Sequence, residues 1–233
     1  IWVDDRGGSV EKLASVYYRA IIDEAHAHGL RVIAHVFSHA DAVDLVNVGV
    51  DGFAHLVRDQ EMDDALVAAI VERGVFVMPN LGVSERRTYN EVPHWLDDPL
   101  LAETVPAEVR QRAAESYREY SEADVKRRRR SYAGMQRSLA KLLDAGAKIV
   151  LGADSGVRDH FFGYAEHREL ELMVAAGMTP AQAIEAATGR AAEVLGFDDI
   201  GSFQIGKSAD FLVLDDNPLV DIMHTRRLSA VYL

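Results

Sequence analysis

Arg31-Val-Ile-Ala-His35, Val50-Asp-Gly-Phe-Ala-His55 and Lys148-Ile-Val-Leu-Gly-Ala-Asp154 decide how this chain is read. Each is an apolar run of strand length that ends in a side chain able to ligate a metal, and a helical pattern follows each one. The unit therefore repeats as strand, ligand, helix. In a parallel α/β barrel the ends of successive strands meet on one rim, so two imidazoles and a carboxylate would converge there.

The flanking segments extend the same rhythm. Ile1–Asp4 reads as a strand, and Val10–His28 as an amphipathic helix stopped by Gly29. A short helix near Ala40–Val48 precedes the second run, a helix over Met62–Arg73 follows it, and Val75–Pro79 is a further strand. Pro93, Pro99 and Pro106 break residues 80–106 into an irregular loop. A charged helix is predicted over 107–145 and a strand over 148–153. Three helices come next, over about 165–176, 179–187 and 190–195, the middle one opened by Thr179 as N-cap and Pro180 in the first turn. From Gly201 the texture changes to short β segments, Phe211–Leu214 and Leu228–Leu233, which places a boundary near Phe197.

Five strand–helix units do not close an eight-stranded barrel, which takes about 250 residues. Ile1-Trp-Val-Asp4 has the look of a strand already under way, so the chain is expected to be the later part of a longer polypeptide. An open sheet binding a phosphate is the structural rival, but Gly7-Gly8 is too sparse for a phosphate-cradling loop.

Of the 233 residues, 48% are hydrophobic and 27% charged, an ordinary balance for a globular protein. A formal net charge of −12 opposes nucleic acid and anionic membrane surfaces as partners. No stretch approaches the length of a membrane-spanning helix. The absence of cysteine excludes disulfides and thiolate metal sites, so a metal must be held by His, Asp, Glu or a modified side chain. A cytoplasmic location is expected on the same ground.

A single histidine at a strand end is ordinarily structural. Two in successive units, His35 and His55, stand side by side if the units do, and imidazole nitrogen suits zinc and similar ions. Asp154 reads either as a turn or N-cap residue, or as a carboxylate that touches the metal and takes a proton from its water.

These residues resemble the amidohydrolase superfamily, in its imidazolonepropionase-like and prolidase-like branch. Gly177-Met-Thr-Pro-Ala-Gln-Ala-Ile-Glu-Ala-Ala-Thr188, Ala191-Ala-Glu-Val-Leu-Gly196 and Ile205-Gly-Lys-Ser-Ala-Asp-Phe-Leu-Val-Leu-Asp215 carry the resemblance through the C-terminal part. It implies a (β/α)8 TIM barrel, of which strands 4–8 are present in residues 1–197, and a small composite β-sandwich to which 198–233 contribute. It also implies that His35, His55 and Asp154 are the metal ligands of strands five, six and eight, with Asp154 catalytic. The family's first-strand His-x-His pair and fourth-strand carboxylated lysine are absent from this sequence; the lysine is expected directly before Ile1. One or two zinc ions, a binuclear centre in the second case, would deliver hydroxide to the C–N bond of a small amide, urea or carbamate. A prolidase-like dipeptidase and a non-catalytic small-molecule-binding barrel are the alternatives. The expected partners are a small-molecule substrate and further copies of the chain in a homo-oligomer.

Tyr89, His94 and Trp95, in the loop after Val75–Pro79, and Arg158, His160 and Tyr164, after Asp154, are candidates for the substrate pocket. Arg158 or Arg86 would hold a substrate carboxylate in a dipeptidase. His26 and His28 are expected on helix C-terminal carbonyls and His39 at a solvated helix start. Lys126–Arg130 reads as a solvated or salt-bridged face, and Glu166, Arg168 and Glu169 as helix-surface charges, with His167 near the pocket.

Overall fold

Ile33–Val36 buries Ala34 and Val36 on one face and turns Ile33 and His35 to the other, the alternation of a strand. In the computed structural model, which describes residues 1–117, 120–157 and 159–233, this segment is the second strand of a parallel sheet. Its strands are β1 (Trp2–Val3), β2 (Ile33–Val36), β3 (Gly52–Phe53) and β4 (Phe76–Val77), in that spatial order and all parallel. Helices α1 (Ser15–Ala27), α2 (His39–Asn47) and α3 (Asp64–Glu72) form the crossovers that parallel neighbours require. The α/β class with a parallel sheet is as expected.

The run 148–153 departs from expectation. Only one parallel bridge forms, Val77 with Ile149, after which the Leu151 N–H donates to the Ala186 carbonyl at 3.0 Å. Residues 148 and 150 face β4 through the Val77 N–H and carbonyl, so the Leu151 donor lies on the opposite edge, where it meets a helix end rather than another strand. Helix α1 also starts later than its pattern suggests, at Ser15 rather than Val10.

The chain divides into two compact units, residues 1–79 with 133–150, and residues 80–132 with 151–233. In the first unit, Ser38 and Asp63 cap α2 and α3 by accepting the Asp41 and Leu66 N–H groups. The buried core includes Val3, Leu45, Phe53, Ile70, Leu139 and Leu142. Ser138 Oγ accepts the Met62 N–H at 2.9 Å, and Glu61 pairs with Arg137 at 2.6 Å and Lys141 at 2.9 Å.

The second unit holds α4 (Leu81–Glu85), α5 (Pro99–Thr104), α6 (Ala107–Ser116), α8 (Tyr164–Ala175), α9 (Pro180–Ala187), α10 (Gly189–Leu195) and the antiparallel pair β5 (Phe211–Leu214) and β6 (Leu228–Tyr232). The stretch read as one helix over 107–145 is two, because α6 ends at Ser116 and α7 (Glu122–Asp144) begins afresh. Ser121 caps that new start by accepting the Asp124 N–H. Trp95, Leu96, Leu101, Tyr117 and Tyr164 form one apolar cluster, and Leu170, Ala183 and Ile222 another. Among the described residues no helix is long and apolar enough to cross a membrane.

Candidate functional site

Parallel register sets Trp2 of β1 opposite His35 of β2. Their rings stack at 3.7 Å and 7°. Asp4, just past β1, places Oδ2 3.1 Å from His35 Nε2, and its other oxygen accepts the Arg6 N–H at 2.8 Å. His55 follows β3, and its ring meets that of His35 edge-on at 4.5 Å between centroids. The two predicted ligands are thus brought together. Three residues on, the Arg58 N–H bonds to the Phe37 carbonyl, which returns this residue to the end of β2. Its Nη2 lies 3.3 Å from both His35 Nε2 and the Val36 carbonyl, and its guanidinium carbon is 5.0 Å from the Phe37 ring centre.

His55 is buried at 5% exposure. Burial pushes its pKa down to about 3, and the positive charges of Arg58 and His35 push the same way. It is therefore a neutral ring, the form that ligates. Burial alone would raise the Asp4 carboxyl; the His35 and Arg6 hydrogen bonds and the charges of His35 and Arg58 outweigh it and hold the pKa below the ordinary value. Once His35 is neutral, as ligation requires, an ionised Asp4 would hold its remaining proton on Nε2. That makes Nδ1 the lone-pair nitrogen, the usual way a carboxylate orients a metal-binding histidine. Arg58 Nη2 and a protonated Nε2 are both donors, so the guanidinium hydrogen is assigned to the Val36 carbonyl.

Among the described residues no group of three or more His, Asp or Glu side chains is arranged to hold a metal ion. His35 and His55 nevertheless fit two nitrogen positions of a divalent ion: one ring is neutral through burial, the other oriented by a carboxylate and clamped by an indole.

Asp154 belongs to the second unit. It is exposed, with φ at 53° in the left-handed region that a non-glycine residue enters at a cost of about 1 kcal/mol. Ser155 beside it donates to Glu166 at 2.7 Å. His160 is buried, and burial lowers its pKa; it packs so closely on α4 that a Cβ at Gly82 would fall 2.5 Å from its Cε1. Tyr89 is half-buried and donates to Glu85. Exposed His94 and buried Trp95 line a cavity of about 120 Å³ together with Arg168, Glu171, Met223 and Arg226. Tyr164 is buried beneath Trp95. Arg158 lies outside the described residues.

Several expectations are corrected. Arg168 and Glu169 are buried rather than on the helix surface. Glu169 is wholly enclosed, accepts the Leu81 and Gly82 N–H groups at 2.7 Å each, and so closes the start of α4. Arg168 bonds Glu85 at 2.9 Å. Arg86 is committed to Asp159 at 2.7 Å inside the protein, so its charge is already spoken for. His26 and His28 meet Asp51 at 2.8 Å and Glu24 at 3.0 Å instead of helix carbonyls. His39 opens α2 largely buried, 3.3 Å from Asp63, rather than solvated. The basic run is in part salt-bridged, as read, through Arg127 and Asp124 at 2.7 Å.

Asp4 and Arg58 were not singled out from the sequence. The signal for Asp4 was its place just past a strand adjacent to that of His35; Arg58 stands three residues beyond a candidate ligand.

The model of the Amidohydrolase family matches residues 14–232. Imidazolonepropionase of Deinococcus radiodurans is 35% identical over 92 residues, 39% of this chain and 23% of that protein. A putative prolidase from Bifidobacterium longum has a solved structure with a TM-score of 0.68 and 29% identity, covering 94% of this chain and 49% of that one. Phenylurea hydrolase B gives 0.64 and 25%, covering 96% and 46%. The chain spans about half the length of the solved structures it matches. A match that runs through nearly all of its residues means that the chain belongs to the amidohydrolase family.

Proposed function

We propose that this chain carries part of a metal-dependent hydrolase that cleaves the C–N bond of a small amide, urea or carbamate. The edge-on pair of His35 and His55, one neutral through burial and the other oriented by Asp4, is the observation that carries this reading. The two rings would hold one divalent ion, zinc by the chemistry of the donors. When bound, such an ion lowers the pKa of water and polarises a carbonyl.

The chain's own groups do the rest. Asp4 and Trp2 keep the His35 ring from turning. Asp154 takes the proton of the attacking water and returns it to the departing nitrogen, a role open to an exposed carboxylate. Its left-handed backbone is the kind of local strain that clusters where a side chain must be aimed. In this reading residues 1–197 form the second half of a (β/α)8 barrel and 198–233 part of a β-sandwich. The names of similar structures, prolidase and phenylurea hydrolase, support a small C–N substrate.

Asp154→Asn in the full-length protein tests the role. Bound zinc should persist while kcat falls by about 10²–10⁴-fold, because proton transfer alone is removed. His55→Ala should instead lose zinc. Near-normal turnover by Asp154→Asn would refute the assignment.

A further inference from the structure

An exposed carboxylate on a left-handed backbone keeps its direction only if neighbouring residues fix that backbone. Asp154 has φ at 53°, and exposed Gly156 follows it at 89°. The Gly156 N–H donates to the His160 carbonyl at 2.7 Å, and the His160 N–H to the Val157 carbonyl at 3.0 Å. The Phe162 ring lies so near that a Cβ on Gly156 would fall 2.4 Å from its Cζ. Further along, Asp159 is held inside the protein by Arg86 at 2.7 Å and by the Tyr117 hydroxyl. These contacts close the turn on itself and hold its far end, but none of them ties the residue next to Asp154 to a regular element. Ser155 does so: its hydroxyl donates at 2.7 Å to Oε1 of Glu166, in the first turn of α8, a helix of 12 residues. Glu166 occupies that place at a cost. Its Oε2 is buried with no hydrogen-bond partner among the described residues, so it forfeits the solvation that a surface carboxylate keeps. The free N–H groups at the start of α8 offset part of this by favouring negative charge. What the burial returns is a grip on Ser155.

We infer that Glu166 is a positioning residue: through Ser155 it anchors the backbone of Asp154 to α8 and so fixes the direction of the Asp154 carboxylate. This rests on the hydrolase reading above, in which Asp154 takes a proton from water and returns it to nitrogen. A group with that task loses rate when its aim drifts, since a displacement of about 1 Å can cost about 10²-fold.

Glu166→Ala and Ser155→Ala each remove the tie, whereas Glu166→Gln keeps an oxygen that can accept the Ser155 hydroxyl. The test uses zinc-loaded full-length protein with phenylurea and alanyl-proline as probes. Both alanine variants should lose about 10–100-fold in kcat with KM near the wild-type value, and Glu166→Gln should recover most of the loss. The double variant Ser155→Ala/Glu166→Ala should lose no more than the weaker single variant, because both changes delete one contact. Hydrogen–deuterium exchange over residues 153–157 reads the tie without turnover. It should quicken about 10-fold in the alanine variants and stay at the wild-type rate in Glu166→Gln. Faster exchange with unchanged kcat, or lost kcat with unchanged exchange, would overturn the inference. Turnover of neither probe by wild type would sink the hydrolase reading, and exchange would still decide whether Glu166 holds the Asp154 backbone.

Discussion

Asp4 governs the imidazole pair without belonging to it. Its carboxylate lies 3.1 Å from His35 Nε2, where it orients the ring, and removing an orienting partner of this kind costs metal affinity. Asp4→Ala should weaken zinc binding by about 10–100-fold in competition with a chelator; unchanged affinity would show that the ring is held by other means. Glu169 supplies a second test. Burial pushes its pKa from 4.5 up to about 7, against the pull of the Leu81 and Gly82 N–H groups. Between those values the unfolded chain releases a proton that the folded chain keeps. The resulting stability is full below about pH 4.5 and lost as pH rises through 7, at most about 3 kcal/mol. Urea midpoints should therefore fall between pH 5 and 8, and Glu169→Gln should flatten that slope; identical slopes would contradict it. Helical periodicity could not reveal Glu169, because its partners Leu81 and Gly82 lie far away in sequence and only folding brings the donors to it.

Strands and helices were more legible than their partners. Apolar runs followed by amphipathic segments gave β2, β3 and β4 with α2 and α3, since both periods are written in the side chains. What failed depended on distant groups: the run at 148–153 makes one bridge to Val77, and on its other edge Leu151 bonds Ala186 instead of a strand. The break after α6 had a local sign, the Ser121 cap followed by Asp124, that a long charged pattern obscured. Close strand packing yields a sharp expectation at β3. A Cβ on Gly52 would fall 2.3 Å from the Phe76 ring on the neighbouring strand. Gly52→Ala should cost about 1–3 kcal/mol by overpacking, read from denaturant unfolding. A neutral result would mean that the ring at Phe76 moves aside freely.

Across the whole molecule, the family and the parallel α/β class followed from three apolar runs read as strands with candidate ligands at their ends and from a C-terminal motif, and the family match over residues 14–232 agrees. His35 and His55 were legible as a pair because each follows an apolar run and the two strands are parallel neighbours, although the register of Ala34 with Phe53 leaves the histidines offset by one residue. Arg58 was not, because a loop arginine carries no periodic signature and its position depends on the Phe37 carbonyl. The proposed chemistry needs these two rings to share an ion. Crystals of the zinc-loaded full-length protein, measured at the zinc absorption edge, decide this. One anomalous peak about 2.0–2.1 Å from a nitrogen of His35 and of His55 is the expected result; a peak bound by neither ring, or none in protein that turns over substrate, would contradict it.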